Sequence, residues 1–283
     1  MNYSTLISTT DLIPHLTNRD WLVVDCRFGL ADPGQGRREY LEAHIPGAVY
    51  AHLDEDLSSP IIPGLTGRHP LPEVEQAAQV FGRLGIDSSV QVVAYDAAGG
   101  ALAAGRLWWM LRWLGHPAVA VLDGGWQLWT ALGLPVQSGQ QSRLARIFTP
   151  VPHPELLVNA DEVTASSQDA MIRLLDARSL ERFHGHNETI DPVAGHIPGA
   201  RSAPYLDNLL PDFTFRSQQE LRQHYQAILG EIPAERSAVY CGSGVTATHD
   251  ILAMLHAGMG EARLYAGSWS EWITDPNHPV TTE

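Results

Sequence analysis

The chain has 283 residues, 44% hydrophobic and 18% charged, a composition able to bury a core in one large domain or two of ordinary size. Its 18 Lys and Arg against 32 Asp and Glu give a formal net charge of −14, and no stretch concentrates the basic residues, which argues against nucleic acid or an anionic membrane as partner but leaves room for a small anionic substrate. No apolar run approaches the roughly 20 residues that span a membrane; the N-terminal MNYSTLISTTDLIPHL lacks a signal-peptide pattern, and two cysteines make no disulfide framework, so a cytoplasmic protein is expected.

In chain order, WLVVD (21–25) is a short apolar run that predicts a strand, followed by EAHIPGA (42–48). LPEVEQAAQVFGRLG (71–85) has helical spacing, and VQVVAY (90–95) is a continuous apolar run that ends at Asp96 and the small residues AAGG. LWWMLRWLGH (107–116) places Trp108, Trp109 and Trp113 at helical spacing, as packing in a core or domain interface requires. AVAVLDG (118–124) is a further strand, ending in the turn residues Asp123, Gly124 and Gly125. A polar, then proline-rich stretch over 138–155 reads as a linker. Beyond it come RLLDA (173–177), AGHIPGA (194–200), the helical SQQELRQHYQAILG (217–230), SAVYC (237–241) and ARLYA (262–266).

The second series repeats the first. LVVDCR matches RLLDAR with Asp25 and Asp176 equivalent; His44 matches His196 in the two HIPGA segments; Asp96 matches Cys241; and Trp126 matches Trp269 in LDGGWQLW and YAGSWSEW. Four matches in one order mean two copies of one module. Strands with continuous apolar runs, alternating with helices, predict an α/β fold with a mainly parallel, doubly wound sheet in each copy. The expected domains are 1–137 and 156–283, joined by 138–155.

Cys241 lies where an open α/β sheet holds its ligands, at the carboxyl end of a strand and before a helix over THDILAML. Gly242 and Gly244 let the backbone curl so that successive N–H groups face inward, and the helix start adds positive potential. Ser243 and Thr246 supply further donors. Such a loop favours a thiolate, the reactive form of cysteine. The first copy carries Asp96 at this place, so one copy is expected to be active and the other silent. A phosphatase of this type closes its loop with an arginine six positions after the cysteine; position 247 is Ala. Cys26, whose counterpart is Ala177, reads as a small buried residue, and the 13 histidines, including His184 and His186, show no metal-ligand spacing.

The paired modules, the two HIPGA segments and the loop Cys241-Gly-Ser-Gly-Val-Thr246 resemble the tandem-domain rhodanese family over essentially the whole chain. The loop CGSGVT is more similar to that of 3-mercaptopyruvate sulfurtransferases than to the charged loops of thiosulfate sulfurtransferases. The resemblance implies two rhodanese-like domains and a double displacement. Cys241 takes a sulfur atom as a persulfide and passes it to a thiol such as thioredoxin or glutathione, or to cyanide, with neither metal nor organic cofactor. It implies that Arg182 clamps the anionic donor, with Gly242, Gly244, Val245 and Thr246 forming the binding loop. It also implies that Ser243, His69 and Asp54, or Asp56 in place of Asp54, form a proton relay, which would set the site between the domains. The family's second substrate arginine has no counterpart between Arg182 and Arg201, so either one clamp holds the donor or another cation substitutes. Thiosulfate is the alternative donor; a non-catalytic binding module is the alternative of a different class.

Overall fold

The computed structural model describes residues 2–166 and 172–283. These form two compact units. The first comprises Met1–Ser59, Pro72–His153 and Pro211–Phe215; the second comprises Pro60–Leu71, Pro154–Leu210 and Arg216–Glu283.

The first unit is built on five strands, β1 (Leu6–Ile7), β2 (Trp21–Asp25), β3 (Val49–Tyr50), β4 (Gln91–Tyr95) and β5 (Val119–Leu122), in the order β1-β5-β4-β2-β3. The second repeats it with β6 (Leu157–Val158), β7 (Arg173–Asp176), β8 (Arg201–Ser202), β9 (Ser237–Tyr240) and β10 (Arg263–Tyr265), in the order β6-β10-β9-β7-β8. Adding five to each strand number converts one order into the other. Every strand pairing is parallel. Central strands β4 and β9 are buried along their whole length, which is why their sequences are continuous apolar runs rather than alternating ones. The two-residue edge strands β1, β3, β6 and β8 carry too little pattern to be predicted.

The longer predicted helices form over Val74–Arg83, Ala103–Trp113, Gln218–Leu229 and Ala247–His256. Gln218–Leu229 opens on a reciprocal cap in which Ser217 and Glu220 satisfy each other's backbone N–H. Trp108 and Trp109 are fully buried on the helix that packs against β4 and β5, so the tryptophan cluster belongs to a core. Cys26 is fully buried, and burial pushes its thiol well above the ordinary cysteine range.

The four sequence matches between the copies meet in one arrangement. Arg27 donates Nε and Nη2 to the buried Asp25 carboxylate and reaches the Ala43 carbonyl at 2.6 Å, just before HIPGA. Arg178 treats Asp176 in the same way and reaches the Gly195 carbonyl at 2.7 Å. The HIPGA backbone is held from the other side, where the Ile45 N–H donates to the Tyr95 hydroxyl and the Ile197 N–H to that of Tyr240. Each arginine lies over a tryptophan ring, Arg27 4.2 Å from the Trp126 centroid and Arg178 4.7 Å from that of Trp269. Burial opposes the charge on Arg178, and Asp176 more than offsets it. The repeated D-x-R, HIPGA, Y and W residues are therefore a bracket that fixes the loops at the carboxyl ends of each sheet.

Candidate active site

The loop Cys241–Thr246 joins β9 to the helix Ala247–His256 in the second unit. Cys241 is 3% exposed. A strap over 267–270 secures the loop: the Cys241 N–H donates to Ser268 Oγ at 3.1 Å, and the N–H groups of Trp269 and Ser270 donate to the Cys241 and Gly242 carbonyls at 3.0 and 2.9 Å. Ser268 has φ +56°, a left-handed conformation that costs a non-glycine residue on the order of 1 kcal/mol or more. Its counterpart in the first copy, Gly125, adopts φ +53° without that cost. The serine trades conformational ease for the hydroxyl that holds Cys241.

The two loop glycines differ in purpose. Gly244 has φ +74°, and a Cβ there would collide with the Ala266 carbonyl oxygen. Gly242 does not need a left-handed backbone; it needs room, because a Cβ would lie 2.7 Å from Arg68 Nη2 and 3.6 Å from both Nη atoms of Arg182. Within the loop, the Thr248 and His249 N–H groups are taken by the Val245 and Thr246 carbonyls, whereas those of Ser243, Val245, Thr246 and Ala247 have no acceptor among the described residues. Val245 is buried beside them.

The first unit shows what such a loop does with its amides. There the fully buried Asp96 carboxylate accepts from the N–H groups of Ala98, Gly100, Leu102 and Ala104 at 2.8–3.2 Å. The Trp126 N–H bonds the Asp96 carbonyl at 3.0 Å, as the Trp269 N–H bonds that of Cys241. Burial raises the Asp96 carboxyl above the ordinary range while the four amides pull it back. This loop is an anion nest filled by its own side chain.

Five further side chains gather at the second unit's loop. The Gly67-Arg68-His69 segment lies against the strap, with the Arg68 N–H donating to Ser270 Oγ at 3.0 Å. His69 Nδ1 and Ser243 Oγ share a hydrogen bond of 2.7 Å, and both residues are buried. Arg182, on the short helix Leu180–Phe183, donates from Nε to Glu188 at 2.8 Å and from Nη2 to Asp191 at 2.9 Å. Arg68 Nη1 pairs with the other oxygen of Asp191. Glu188 is held below the usual carboxylate range, Arg182 and two backbone N–H groups outweighing its burial.

Residues 8–132 and 159–275 each match the sequence profile described as a rhodanese-like domain. The chain belongs to the rhodanese-like domain family. A Pseudomonas aeruginosa protein named as a probable 3-mercaptopyruvate sulfurtransferase is 47% identical over 283 residues, spanning 100% of this chain and 99% of its own. A thiosulfate sulfurtransferase of Cricetulus griseus is 33% identical over 278 residues, 91% of each chain. The solved 3-mercaptopyruvate sulfurtransferase from Leishmania major superposes with a TM-score of 0.85 at 32% identity, covering 95% of this chain and 74% of that one.

Within this rhodanese-like frame, Cys241, Ser243, His69 and Arg182 all belong to the second unit, His69 reaching it through the segment Pro60–Leu71. Asp54 belongs to the first unit, where burial raises its carboxyl; Asp56 is engaged there by Arg83 and by the His52 N–H. No arginine lies between Arg182 and Arg201, but Arg68, which directly precedes His69 in GRHPLP, approaches Gly242 alongside Arg182 and shares Asp191 with it, a placement the sequence did not signal. Glu188, Asp191, Ser268 and Ser270 were also missed. Among the described residues, no group of three or more His, Cys, Asp or Glu could hold a metal ion, and no helix is long and apolar enough to cross a membrane.

Proposed function

We propose that the protein transfers a sulfane sulfur from 3-mercaptopyruvate to a thiol or cyanide through a persulfide on Cys241. The observation that carries this reading is the correspondence of the two loops: a buried cysteine stands in the second where, in the first, Asp96 holds its carboxylate on four backbone amides. In the first step the Cys241 thiolate attacks the donor sulfur. The sulfur–sulfur bond forms as the carbon–sulfur bond breaks, and the bonding pair leaves with the pyruvate enolate, which takes up a proton. In the second step an acceptor thiolate or cyanide attacks the outer sulfur, and the electron pair of the sulfur–sulfur bond returns to Cys241. The unpaired loop amides suit the negative charge on either sulfur species.

Arg182 and Arg68, fanned over Gly242, suit the donor's carboxylate. Ser243 and His69 suit delivery of the enolate's proton. Asp54 is carried by the resemblance alone. The first unit, its nest closed by Asp96, serves as a silent copy. The acceptor is a thiol such as thioredoxin or glutathione, and both free cysteines agree with a cytoplasmic setting.

The relay gives a donor-specific expectation. Ser243→Ala should lower kcat with 3-mercaptopyruvate by roughly 10- to 100-fold. With thiosulfate the change should stay within about threefold, because departing sulfite needs no proton. Steady-state turnover with both donors checks this; equal losses would remove the relay.

Thiosulfate is the second reading, supported by the 33% identity over 91% of this chain to a thiosulfate sulfurtransferase of Cricetulus griseus. Intact-protein mass spectrometry after incubation with each donor, without acceptor, tests both. A gain of about 32 Da on Cys241 that cyanide removes is the expected result, with 3-mercaptopyruvate loading faster. Faster loading by thiosulfate would exchange the two readings. No adduct from either donor would leave a non-catalytic binding module.

A further inference from the structure

Beside the Cys241 loop lies a closed set of charges. Arg68, Arg178 and Arg182 face Asp176, Glu188 and Asp191, three cations against three anions. Their depths are unequal. The side chains of Asp176, Glu188 and Asp191 are 0–3% exposed, whereas those of Arg182 and Arg68 are 17% and 26% exposed. Arg178 is committed to Asp176 and the Gly195 carbonyl. The two outer arginines share one carboxylate: Asp191 takes Arg182 on Oδ2 and Arg68 on Oδ1, while its own N–H is fixed by Glu188 at 3.0 Å. These same two guanidiniums approach Gly242. An incoming anion therefore meets a pair whose two charges are already balanced by Asp191 and Glu188, and the site offers donors of hydrogen bonds without a large net positive charge.

We propose that Asp191 is a specificity-determining residue: a resident counter-anion that lets the two arginines accept a singly charged donor group and disfavours a dianion. The inference rests on the donor-binding role given above to Arg68 and Arg182. A carboxylate arriving at the pair brings one charge to a neutral cluster. Thiosulfate or sulfate brings two, and the second faces Asp191 with no cation to spare. At a few ångströms and partial burial, one uncompensated charge pair amounts to a large discrimination even after solvent screening. Asp191 also orients both forks, so its charge and its positioning must be separated by experiment.

The test compares wild type, Asp191→Asn, which keeps shape and removes charge, and Asp191→Glu, which keeps charge. Binding of sulfate as dianion and pyruvate as monoanion is measured at fixed ionic strength by tryptophan emission, Trp269 being bonded to the loop at the Cys241 carbonyl. Asp191→Asn should bind sulfate at least about tenfold more tightly, change pyruvate binding by less than about threefold, and raise the thiosulfate-to-3-mercaptopyruvate ratio of kcat/KM to match. Asp191→Glu, whatever it does to both affinities, should keep the wild-type ratio of sulfate to pyruvate binding. Arg68→Met leaves the cluster one charge more negative, so it should weaken sulfate more than pyruvate and keeps the test decisive should the Asn variant fold poorly. Parallel weakening of both anions in Asp191→Asn, or an unchanged sulfate-to-pyruvate ratio in the variants, would overturn the inference and leave Asp191 a purely structural brace. Failure of both donors to load wild-type Cys241 would overturn the proposed function instead, while the two anion titrations still decide the charge question.

Discussion

Cys241→Ser should fold as wild type and transfer no sulfur. Cys241 is held through its backbone, by Ser268 at the N–H and by Trp269 at the carbonyl, and a serine side chain of nearly the same size leaves both bonds in place. What changes is the atom in the nest. A hydroxyl at neutral pH is almost wholly protonated and forms no stable bond to sulfane sulfur, so the two-step route is closed rather than slowed. Turnover with either donor should fall by at least about a thousandfold, with thermal unfolding within a few degrees of wild type and no mass gain. Cys26→Ser is the control: that thiol is buried at the end of β2 in the first unit, and its loss should leave loading intact. Persistent transfer by Cys241→Ser would mean that the sulfur travels by another residue.

The second large effect is expected from a residue with no reactive group. Gly244→Ala must cope with a left-handed backbone and with a methyl driven into the Ala266 carbonyl, a main-chain atom just before the strap that grips Cys241. Left-handed strain costs on the order of 1 kcal/mol, and the collision adds to it because neither loop nor strap can move alone. A loss of about 2–4 kcal/mol is expected, with transfer falling at least about 100-fold as the nest opens. Gly133→Ala separates the two costs. Gly133, just past the end of the helix Gly125–Ala131, has φ +63° with nothing within 4 Å of its Cβ position, so only the backbone strain remains, and denaturant unfolding of the pair measures the difference. Equal losses in the two variants would show that the contact with Ala266 relaxes freely.

Much of this architecture could be read along the chain, and the reasons are local. Buried parallel strands leave continuous apolar runs, and a duplicated module leaves the same residues at nearly constant separation, so both sheets and the Asp96–Cys241 correspondence were accessible before any coordinates. The purpose of the matching residues was not. LVVDCR and RLLDAR look like strands ending in charge; only closure of the HIPGA loop beside them shows that the arginine spans an aspartate, a carbonyl and a tryptophan ring. Arg68 escaped for a related reason. The resemblance points to a second cation near Arg182 in sequence, whereas the fold brings Arg68 to Arg182 from the segment Pro60–Leu71, together with His69. Asp191, in the polar stretch HNETIDP, had no pattern to mark it as buried, because burial of a carboxylate depends on cations that arrive from elsewhere in the fold.

Asp96 gives the duplication a historical reading. In the proposed reaction the second loop holds negative charge only while sulfur is in transit, so its amides must be left exposed to a visitor and to water between turnovers. The first loop has exchanged that visitor for a permanent tenant. A carboxylate on the loop's own side chain satisfies those amides without any passing anion, so the shape of the first loop is held whether or not anything enters it. It also makes reactivation a longer route than a single codon: Tyr40 and Phe183 stack alike on His44 and His196, which puts Glu39 at the place of Arg182, so a cysteine restored at 96 would have a cradle for sulfur but no hand to bring it.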